Sequence, residues 1–278
     1  MSLFLSIVAA LTVAAPPAFE SQLSIHQAFP RDGRENGYVT VYLPAEYHSD
    51  TAKRFPTLVL LHGLGGSDRD WASYGVMKRT LDSAIARGDL PAVIAVAPDG
   101  RNGYWSDWPD GRVERRFATL VARDLVPWVD VHYRSNGRRA IVGVSMGGFG
   151  ALSIALQHRD LFHAVGSLSG ALFQALPQDR KIYRVAFGSG PEAQERFKKI
   201  NPINLIRAGK ARGLPIWLDC GRKDAAKVVV GMAVTSQALM DAGVYHQVRL
   251  RDGAHTWDVW RVGLRDMLPW LGKQLRRP

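Results

Sequence analysis

The sequence predicts an α/β protein with a doubly wound, mostly parallel sheet and helices on both faces. Several short runs are apolar at every position, which is typical of central strands that are covered on both sides. Between these runs lie segments in which apolar residues recur every three or four positions, as on the buried face of a helix. Because strand-like and helix-like segments alternate, a parallel sheet with crossover helices is the favoured architecture.

The elements follow in order along the chain. The predicted strands are 38–43, 57–61, 92–97, 140–144, 214–218 and 244–250. The last of them alternates apolar and polar residues, so we expect it nearer an edge of the sheet. Helical spacing covers 117–125 and 257–271, and Gly243 is placed to end a helix that runs through Met240.

Composition indicates one globular domain, which we expect over residues 19–278. The chain has 278 residues, of which 46% are hydrophobic and 22% charged, as in ordinary globular proteins. Its 36 Lys and Arg against 25 Asp and Glu give a net charge of +11, which favours contact with anionic partners. No recognised nucleic-acid-binding motif is present, so we expect no nucleic-acid partner. The single cysteine, Cys220, excludes an intramolecular disulfide and cysteine-based metal clusters.

The N-terminal segment predicts export. Residues from Leu3 to Ala15 are apolar and uncharged, and small residues follow up to Ala18. This is the pattern of a secretory signal peptide, although the basic residues that usually precede it are missing. The run is too short to span a bilayer comfortably. We therefore expect residues 1–18 to be a signal peptide and the protein to be periplasmic or secreted, without a stable membrane span; a cytoplasmic location is the alternative.

A nucleophile motif follows the strand 140–144. Gly143-Val144-Ser145-Met146-Gly147 fits G-x-S-x-G, and the small residues after it open a helix. A nucleophile elbow requires this strand-turn-helix setting, with small residues two positions before and after the serine. Ser145 is therefore the candidate nucleophile; the alternative is a glycine-rich turn with an incidental serine.

A serine nucleophile needs a base, and the base needs an orienting acid. His255 lies in the loop between the last predicted strand and the last helix, where the chain order serine, acid, histidine requires the base. Three acids stay open. Asp224 is favoured because it lies past the end of strand 214–218, whereas Asp219 is still within the strand register and Asp252 is very close to His255 in sequence.

Two backbone amides are candidates for an oxyanion hole. One belongs to Met146, directly after the serine, and the other to Leu64 in the loop His62-Gly63-Leu64-Gly65-Gly66. Glycines such as Gly63 let the backbone approach a substrate closely. The loop lacks the Gly-Lys-Ser/Thr ending of a phosphate-binding loop, which argues against a nucleotide.

Aromatic residues after the strand ends are candidate substrate contacts. Trp71, Trp105 and Trp108 lie in such segments, and ligands bind at the carboxyl ends of the strands in open α/β sheets. Exposed aromatic rings suit acyl, aryl or sugar groups; ordinary packing is the alternative. Trp257 and Trp260 stand at helical spacing and are expected in the core.

One segment, from about 171 to 213, lacks strand runs and carries nine basic but only three acidic residues. We expect it to be an insertion over the edge of the sheet, near the rim of the active site, and not a separate domain. Its charge is either a solvated surface or a means of attracting an anionic substrate.

The motifs resemble those of the esterase family of α/β-hydrolases, which includes tributyrin esterases, feruloyl esterases, S-formylglutathione hydrolases and the antigen 85 mycolyltransferases. The resemblance runs from about Gly37 to Leu271. It is carried by Tyr42-Leu43-Pro44, Leu61-His62-Gly63, Ala97-Pro98-Asp99-Gly100, Gly143 to Gly148, Asp219 to Asp224 and His255-Thr256-Trp257. Trp105-Ser106-Asp107-Trp108 is similar to a stretch of the mycolyltransferases and tributyrin esterases.

The resemblance implies an α/β-hydrolase fold with Ser145 as nucleophile, His255 as base, Asp224 as acid, and the amides of Leu64 and Met146 as oxyanion donors. S-formylglutathione hydrolases usually carry a cysteine in the loop after the first central strand, where this chain has glycine. This glycine argues against the assignment of the chain as a hydrolase of glutathione thioesters.

The sequence thus predicts a carboxylesterase-type serine hydrolase that acts on small acyl or aryl esters, including sugar-linked ones, and requires no metal or cofactor. Acyl transfer of the mycolyltransferase type and S-formylglutathione hydrolysis are the enzymatic alternatives. A non-catalytic binding module that keeps the fold is the alternative from another class.

Overall fold

The computed structural model describes residues 19–31, 34–177, 179 and 181–276. The expected signal peptide, residues 1–18, lies outside the described residues, so export of the protein stays a prediction. Among the described residues, none of the helices combines the length and the apolarity that a membrane crossing requires.

The strands come first along the chain as an antiparallel pair and then alternate with helices. They are β1 (Gln22–Arg31), β2 (Arg34–Leu43), β3 (Phe55–Leu61), β4 (Ile94–Pro98), β5 (Ser135–Val144), β6 (Ala164–Leu168), β7 (Ile216–Gly221) and β8 (His246–Arg251).

The helices occupy the connections between the strands and the C-terminus. They are α1 (Glu46–Ser49), α2 (Asp70–Ser73), α3 (Met77–Ala86), α4 (Phe117–Thr119), α5 (Val126–His132), α6 (Met146–Gln157), α7 (Lys181–Phe187), α8 (Gly190–Ile200), α9 (Pro202–Arg207), α10 (Ala226–Asp241) and α11 (Trp257–Arg276). A π-helical segment, Leu120–Leu125, joins α4 to α5, so the helix predicted over 117–125 is present and continues to His132.

The strands form one sheet in the order β1-β2-β4-β3-β5-β6-β7-β8. Pairing is parallel from β4 through β8 and antiparallel only where β1 and β2 join. This confirms the predicted doubly wound, mostly parallel sheet. Since β4 and β5 lie on opposite sides of β3, the chain reverses its direction of winding at β3, and the reversal leaves a crevice at the carboxyl ends of β3 and β5.

Two apolar cores cover the two faces of the sheet. Along β3, Leu58 and Leu60 belong to the core that α3 and α11 cover. Their neighbours Val59 and Leu61 point the other way, into the core that α5, α6 and α10 share. Because successive side chains of a strand alternate between faces, a strand buried on both faces must be apolar throughout. This is why the sequence pattern identified β3.

Two strands, β1 and β6, were not predicted from the sequence. β1 carries several polar residues, is only partly buried and is interrupted by irregular pairing, so it lacks both an apolar run and strict alternation. β6 contains only five residues, including a glycine and a serine, which weakens any strand signal. The expected edge position of the last strand is confirmed, since β8 closes the sheet.

The expected insertion, 171–213, contains α7, α8 and α9 and no strand among its described residues. It does not simply cover an edge of the sheet. Helix α9 packs against α6 and α10, and its Ile203 and Ile206 are buried in the core. The segment is therefore built into one helical layer of the domain.

The turn from β5 into α6 is made by one residue, Ser145, with φ 56° and ψ −116°. The turn is possible because Gly143 and Gly147 carry no side chain. A Cβ at Gly143 would lie 2.0 Å from the Gly147 carbonyl oxygen, and one at Gly147 would lie 2.3 Å from the Leu61 carbonyl oxygen. The small-residue requirement read from the motif thus has a direct steric cause.

We expect Gly143→Ala to lower the free energy of unfolding by more than about 3 kcal/mol, since the added methyl group meets rigid backbone and the turn must open. The matched control is Gly137→Ala, at φ 82° with nothing within 4 Å of the added Cβ. Only the penalty of the left-handed backbone, about 1 kcal/mol, remains there. Urea unfolding of both variants measures the difference, and equal losses would contradict the steric account.

Candidate active site

Ser145 lies at the crevice between the ends of β3 and β5. Its amide donates to the Leu168 carbonyl at the end of β6, at 2.9 Å. Its own carbonyl accepts from the amides of Gly148 and Ala171, both at 3.0 Å. The serine backbone is therefore held from three elements, and its side chain stands at the N-terminus of α6, where the helix dipole favours negative charge.

His255 follows β8 in the loop before α11, and its Nε2 lies 2.8 Å from the Ser145 hydroxyl oxygen. The histidine side chain is 36% exposed. The ring of Trp260 meets the imidazole edge-on, with ring centroids 4.9 Å apart. Trp260 is buried, as its helical spacing predicted, but its contact with the histidine was not foreseen. The imidazole is thus supported by the core and open to solvent.

Asp224 lies behind His255 and is inaccessible. Both of its carboxylate oxygens are 2.9 Å from His255 Nδ1, and the Ala225 amide donates to one of them at 2.7 Å. Burial alone would raise the pKa of Asp224, but the His255 imidazole and the neighbouring Ser169 hydroxyl favour the carboxylate and hold its pKa below the usual value.

Ser145, His255 and Asp224 form one hydrogen-bonded chain. A carboxylate can only accept, so Nδ1 of His255 donates its proton to Asp224 and Nε2 is left to accept the Ser145 hydroxyl proton. This tautomer is the one that can remove a proton from a serine hydroxyl.

The two other candidate acids are engaged elsewhere. Asp219 is buried within β7 and forms an ion pair with Arg251. Asp252 is 95% exposed and faces Arg222 at 3.3 Å. Neither carboxylate is hydrogen-bonded to His255. Within the described part of the chain, no group of three or more His, Cys, Asp or Glu side chains is arranged to hold a metal ion.

The loop after β3 comes close to the serine. The position of a Cβ on Gly63 would lie 3.4 Å from the Ser145 Cβ, so the predicted substrate-side glycine is beside the candidate nucleophile. Leu64 is 42% exposed. Met146 is the first residue of α6. The first amides that form hydrogen bonds within the helix are those of Gly148 and Phe149, which donate to the Ser145 carbonyl. The Met146 amide comes before them and has no acceptor within the helix.

Two residues that sequence reasoning missed hold this loop in place. His62 is fully buried, with Nδ1 2.7 Å from the Gly63 carbonyl oxygen and Nε2 accepting from the Gly100 amide at 2.9 Å. Asn102 accepts from the Gly65 amide at 2.7 Å. Both tie the loop after β3 to the loop after β4. No local pattern marks such links, because the partners are distant in sequence.

The structure corrects two of the expected substrate contacts. Trp71 and Trp105 are completely buried, so neither ring offers a face to a ligand. Trp105 packs edge-on against His62 and donates from its indole to the His62 carbonyl, which makes it a support of the loop after β3. Trp108 is half-buried, donates to the Gly103 carbonyl and lies under the Arg115 guanidinium.

An exposed aromatic pair is linked to His255 through the buried ring of Trp260 instead. Tyr74 is 58% exposed and stacks on Trp257 with ring centroids 6.1 Å apart. Trp257 is only half-buried and contacts both Trp71 and Trp260. The expectation that Trp257 is a core residue is therefore only partly met. Tyr74 was missed because a lone aromatic residue after a short helix carries no periodic signal.

The basic residues of segment 171–213 do not form one patch at the site. Arg207 ends α9, and Arg212 precedes the start of β7, at the amino ends of the parallel strands, away from Ser145. On α8, Arg196 faces Glu192 and Lys198 faces Glu195. The segment begins at the site, where the Ala171 amide donates to the Ser145 carbonyl, and ends at the opposite end of the sheet, so its basic residues are not all at the rim.

Cys220 provides a test of the packing behind Asp224. Its side chain is completely buried, and burial together with the nearby Asp224 carboxylate raises the pKa of the thiol to about 12. Since the thiolate is the reactive form, we expect no reaction with Ellman's reagent in the native protein at mildly alkaline pH and full reaction in denaturant. Equal rates in the two states would show that the loop behind Asp224 is open.

Comparison with known proteins is consistent with this geometry. Residues 34–271 match the family model described as Putative esterase. An esterase of Mycobacterium tuberculosis is 28% identical over 264 residues, which cover 82% of this chain and 55% of that protein. The diacylglycerol acyltransferase/mycolyltransferase Ag85A of Mycobacterium leprae is 26% identical over 289 residues, covering 90% of this chain and 86% of the relative.

Among solved structures, a ferulic acid esterase is similar with a TM-score of 0.80 and 26% identity, covering 92% of this chain and 99% of the other. The chain spans about half the length, 55%, of the mycobacterial esterases that it matches. Since the family model covers residues 34–271, most of the chain, the protein belongs to that esterase family and has the α/β-hydrolase fold.

Proposed function

We propose that the chain is a serine carboxylic-ester hydrolase. The observation that carries this proposal is the hydrogen-bonded chain Ser145–His255–Asp224 at the crevice of the sheet. Membership in an esterase family supports it. Each of the three residues has the environment that its role requires: an oriented hydroxyl, a partly exposed imidazole and a buried carboxylate.

In the first half-reaction the Ser145 hydroxyl oxygen attacks the ester carbonyl carbon, and its proton moves to His255 Nε2. Asp224 stabilises the resulting imidazolium and keeps the ring in place. The bond from the carbonyl carbon to the alcohol oxygen then breaks. His255 returns the proton to that oxygen, so the alcohol leaves and the acyl group stays on Ser145.

The negative charge on the tetrahedral intermediate needs donors that are already in place. The amide of Met146 has no partner within α6 because it begins the helix. The amide of Leu64 lies in the loop that His62 and Asn102 hold beside the serine. We assign these two amides as the oxyanion donors.

In the second half-reaction water attacks the acyl-enzyme. His255 removes one proton from the water and returns it to Ser145 as the carboxylic acid leaves. The exposure of His255, 36% of its side chain, supports the access of water to this side of the acyl-enzyme.

The alcohol part of the substrate is assigned to the aromatic surface formed by Tyr74 and Trp257. The departing oxygen takes its proton from His255, so the alcohol must leave on the side of this residue. Aromatic contacts run from His255 through Trp260 and Trp257 to Tyr74. A flat, partly exposed ring pair suits stacking of an aryl or sugar ring. We therefore propose esters of ring-bearing alcohols, including sugars, as substrates.

Acyl transfer to a sugar is the second candidate function. The same exposed His255 and stacked rings would accept a sugar hydroxyl in place of water, and a mycolyltransferase is among the relatives. Assays of acid release from one ester, with and without a sugar acceptor, distinguish the two. A transferase forms the new ester at the expense of free acid, whereas a hydrolase releases the same amount of acid in both assays.

We expect Ser145→Ala and His255→Ala to lower kcat for a short-chain nitrophenyl ester by about 10⁴-fold or more, and Asp224→Asn by about 10³- to 10⁴-fold. The first change removes the attacking oxygen, the second the base and the third the charge that stabilises the imidazolium. Initial rates at saturating substrate measure the loss.

Asp252→Asn is the matched control, because this carboxylate is exposed and lies close to His255 in sequence; its kcat should stay at the wild-type value. A fluorophosphonate probe should label the wild type and not Ser145→Ala. Undiminished labelling of that variant would overturn the assignment of the nucleophile.

Tyr74→Ala should raise KM for an ester of an aryl or sugar alcohol by about 2- to 10-fold, since a stacking contact contributes about 0.5–1.5 kcal/mol. The ethyl ester of the same acid should be unaffected, and Tyr74→Phe should keep the wild-type KM because the ring remains. Tyr245→Ala is the control, as this tyrosine is 81% exposed beside the amino end of β8. Equal effects on both esters would place the alcohol elsewhere.

A further inference from the structure

A buried ion pair joins the two strands that end beside the candidate catalytic residues. Asp219 on β7 is 2% exposed. Arg251 on β8 donates from Nε to Asp219 Oδ1 at 2.7 Å and from Nη2 to the other oxygen. Its Nη1 also donates to Asp266 on α11 at 2.9 Å. One guanidinium therefore links β7, β8 and the C-terminal helix.

Two glycines allow close approach of neighbouring elements around this pair. A Cβ on Gly221 of β7 would lie 2.3 Å from the Gly253 carbonyl oxygen, so this glycine lets the loop that leads to His255 approach the end of β7. A Cβ on Gly263 of α11 would lie 3.2 Å from Asp219 Oδ1. The helix thus closes over the carboxylate, and burial raises the pKa of Asp219 although the Arg251 guanidinium opposes this.

The pair lies at the base of both catalytic loops. Beyond Asp219 the chain leads to Asp224, and beyond Arg251 it leads to His255. The two loops are joined again further out, where the Arg222 amide donates to the Arg251 carbonyl at 2.7 Å. The Lys223 amide also donates to the Gly253 carbonyl, at 2.9 Å. The two-bond guanidinium contact adds a side-chain constraint of defined geometry to the backbone pairing of β7 with β8.

We propose that the Asp219–Arg251 ion pair is a positioning device that sets the geometry between Asp224 and His255. The proposal rests on the proposed function, because that function gives the Asp224–His255 contact its importance. Asp219 and Arg251 act only through the loops that they anchor and do not contact the reacting atoms. A displacement of about 1 Å, caused by a change outside the reacting groups, can cost about 100-fold in rate.

A purely stabilising role has a different signature. Replacing one partner of a buried ion pair destabilises a protein because the other charge is left uncompensated. Such a loss reduces the amount of folded protein but leaves the turnover of each folded molecule unchanged. The decisive quantity is therefore kcat per folded enzyme, measured well below the unfolding temperature.

The test is a double-mutant cycle on a short-chain nitrophenyl ester. We expect Asp219→Asn to lower kcat per folded enzyme by about 10- to 100-fold with little change in KM. In the Asp224→Asn background the same replacement should change kcat by less than about twofold, because the contact that it positions is already lost. A full effect in that background, or wild-type kcat in the single variant, would overturn the proposal.

Two further variants keep the test decisive if Asp219→Asn does not fold. Arg251→Lys keeps the positive charge but replaces the two-bond contact with a single-point one, so kcat should fall while the protein stays folded. Asp266→Asn removes only the more exposed arm of the same arginine and should keep wild-type kcat. Wild-type kcat in Arg251→Lys would contradict a positioning role.

Failure of this proposal is distinguishable from failure of the proposed function. If the wild type turns over esters and Ser145→Ala does not, the function holds, and the cycle then judges the ion pair alone. If the wild type neither turns over esters nor reacts with a fluorophosphonate, the function itself fails and the positioning role fails with it.

Discussion

The close approach of the start of α6 to the end of β3 is the constraint on which the rest of the structure depends. At this contact the backbone at Gly147 is so near the Leu61 and His62 carbonyls that a Cβ would come within 2.3 and 2.6 Å of their oxygens. With no side chain between the two elements, Ser145 stands directly beside the loop that begins at Gly63. The same contact therefore determines the position of the serine, the exposure of the first amide of α6 and the distance to the second oxyanion candidate, Leu64.

The two buried carboxylates of the β7 region differ because their partners differ. Asp219 is paired with an arginine, whose guanidinium stays protonated at any pH of interest, so its charge is compensated permanently. Asp224 is paired with a histidine, whose imidazole takes up and returns a proton in the proposed reaction. Only the second pairing can respond to a proton transfer. A buried acid thus acts in structure or in chemistry according to whether the group it faces exchanges a proton with the substrate.

The residues near the site that are suited to ligand recognition are aromatic and not charged. The basic residues of segment 171–213 do not all gather at the crevice, since Arg207 and Arg212 lie towards the other end of the sheet and Arg196 and Lys198 face acids. Ring contacts lead instead from His255 through Trp260 to the stacked pair of Trp257 and Tyr74. A ligand on this side would be recognised by the shape and polarisability of its ring more than by long-range electrostatic attraction to the charges of the protein.

The sequence by itself determined the mostly parallel sheet, the turn at Ser145 and the loops from which Asp224 and His255 come. These depend on local rules: continuous apolar runs for strands buried on both faces, small residues at a tight turn, and the common edge at which parallel strands end. Only the tertiary structure decided that Asp219 faces Arg251, that Trp71 and Trp105 are buried supports, and that Tyr74 is exposed and stacks on Trp257. Each of these depends on contacts between residues far apart in sequence, and no periodicity along the chain records such contacts.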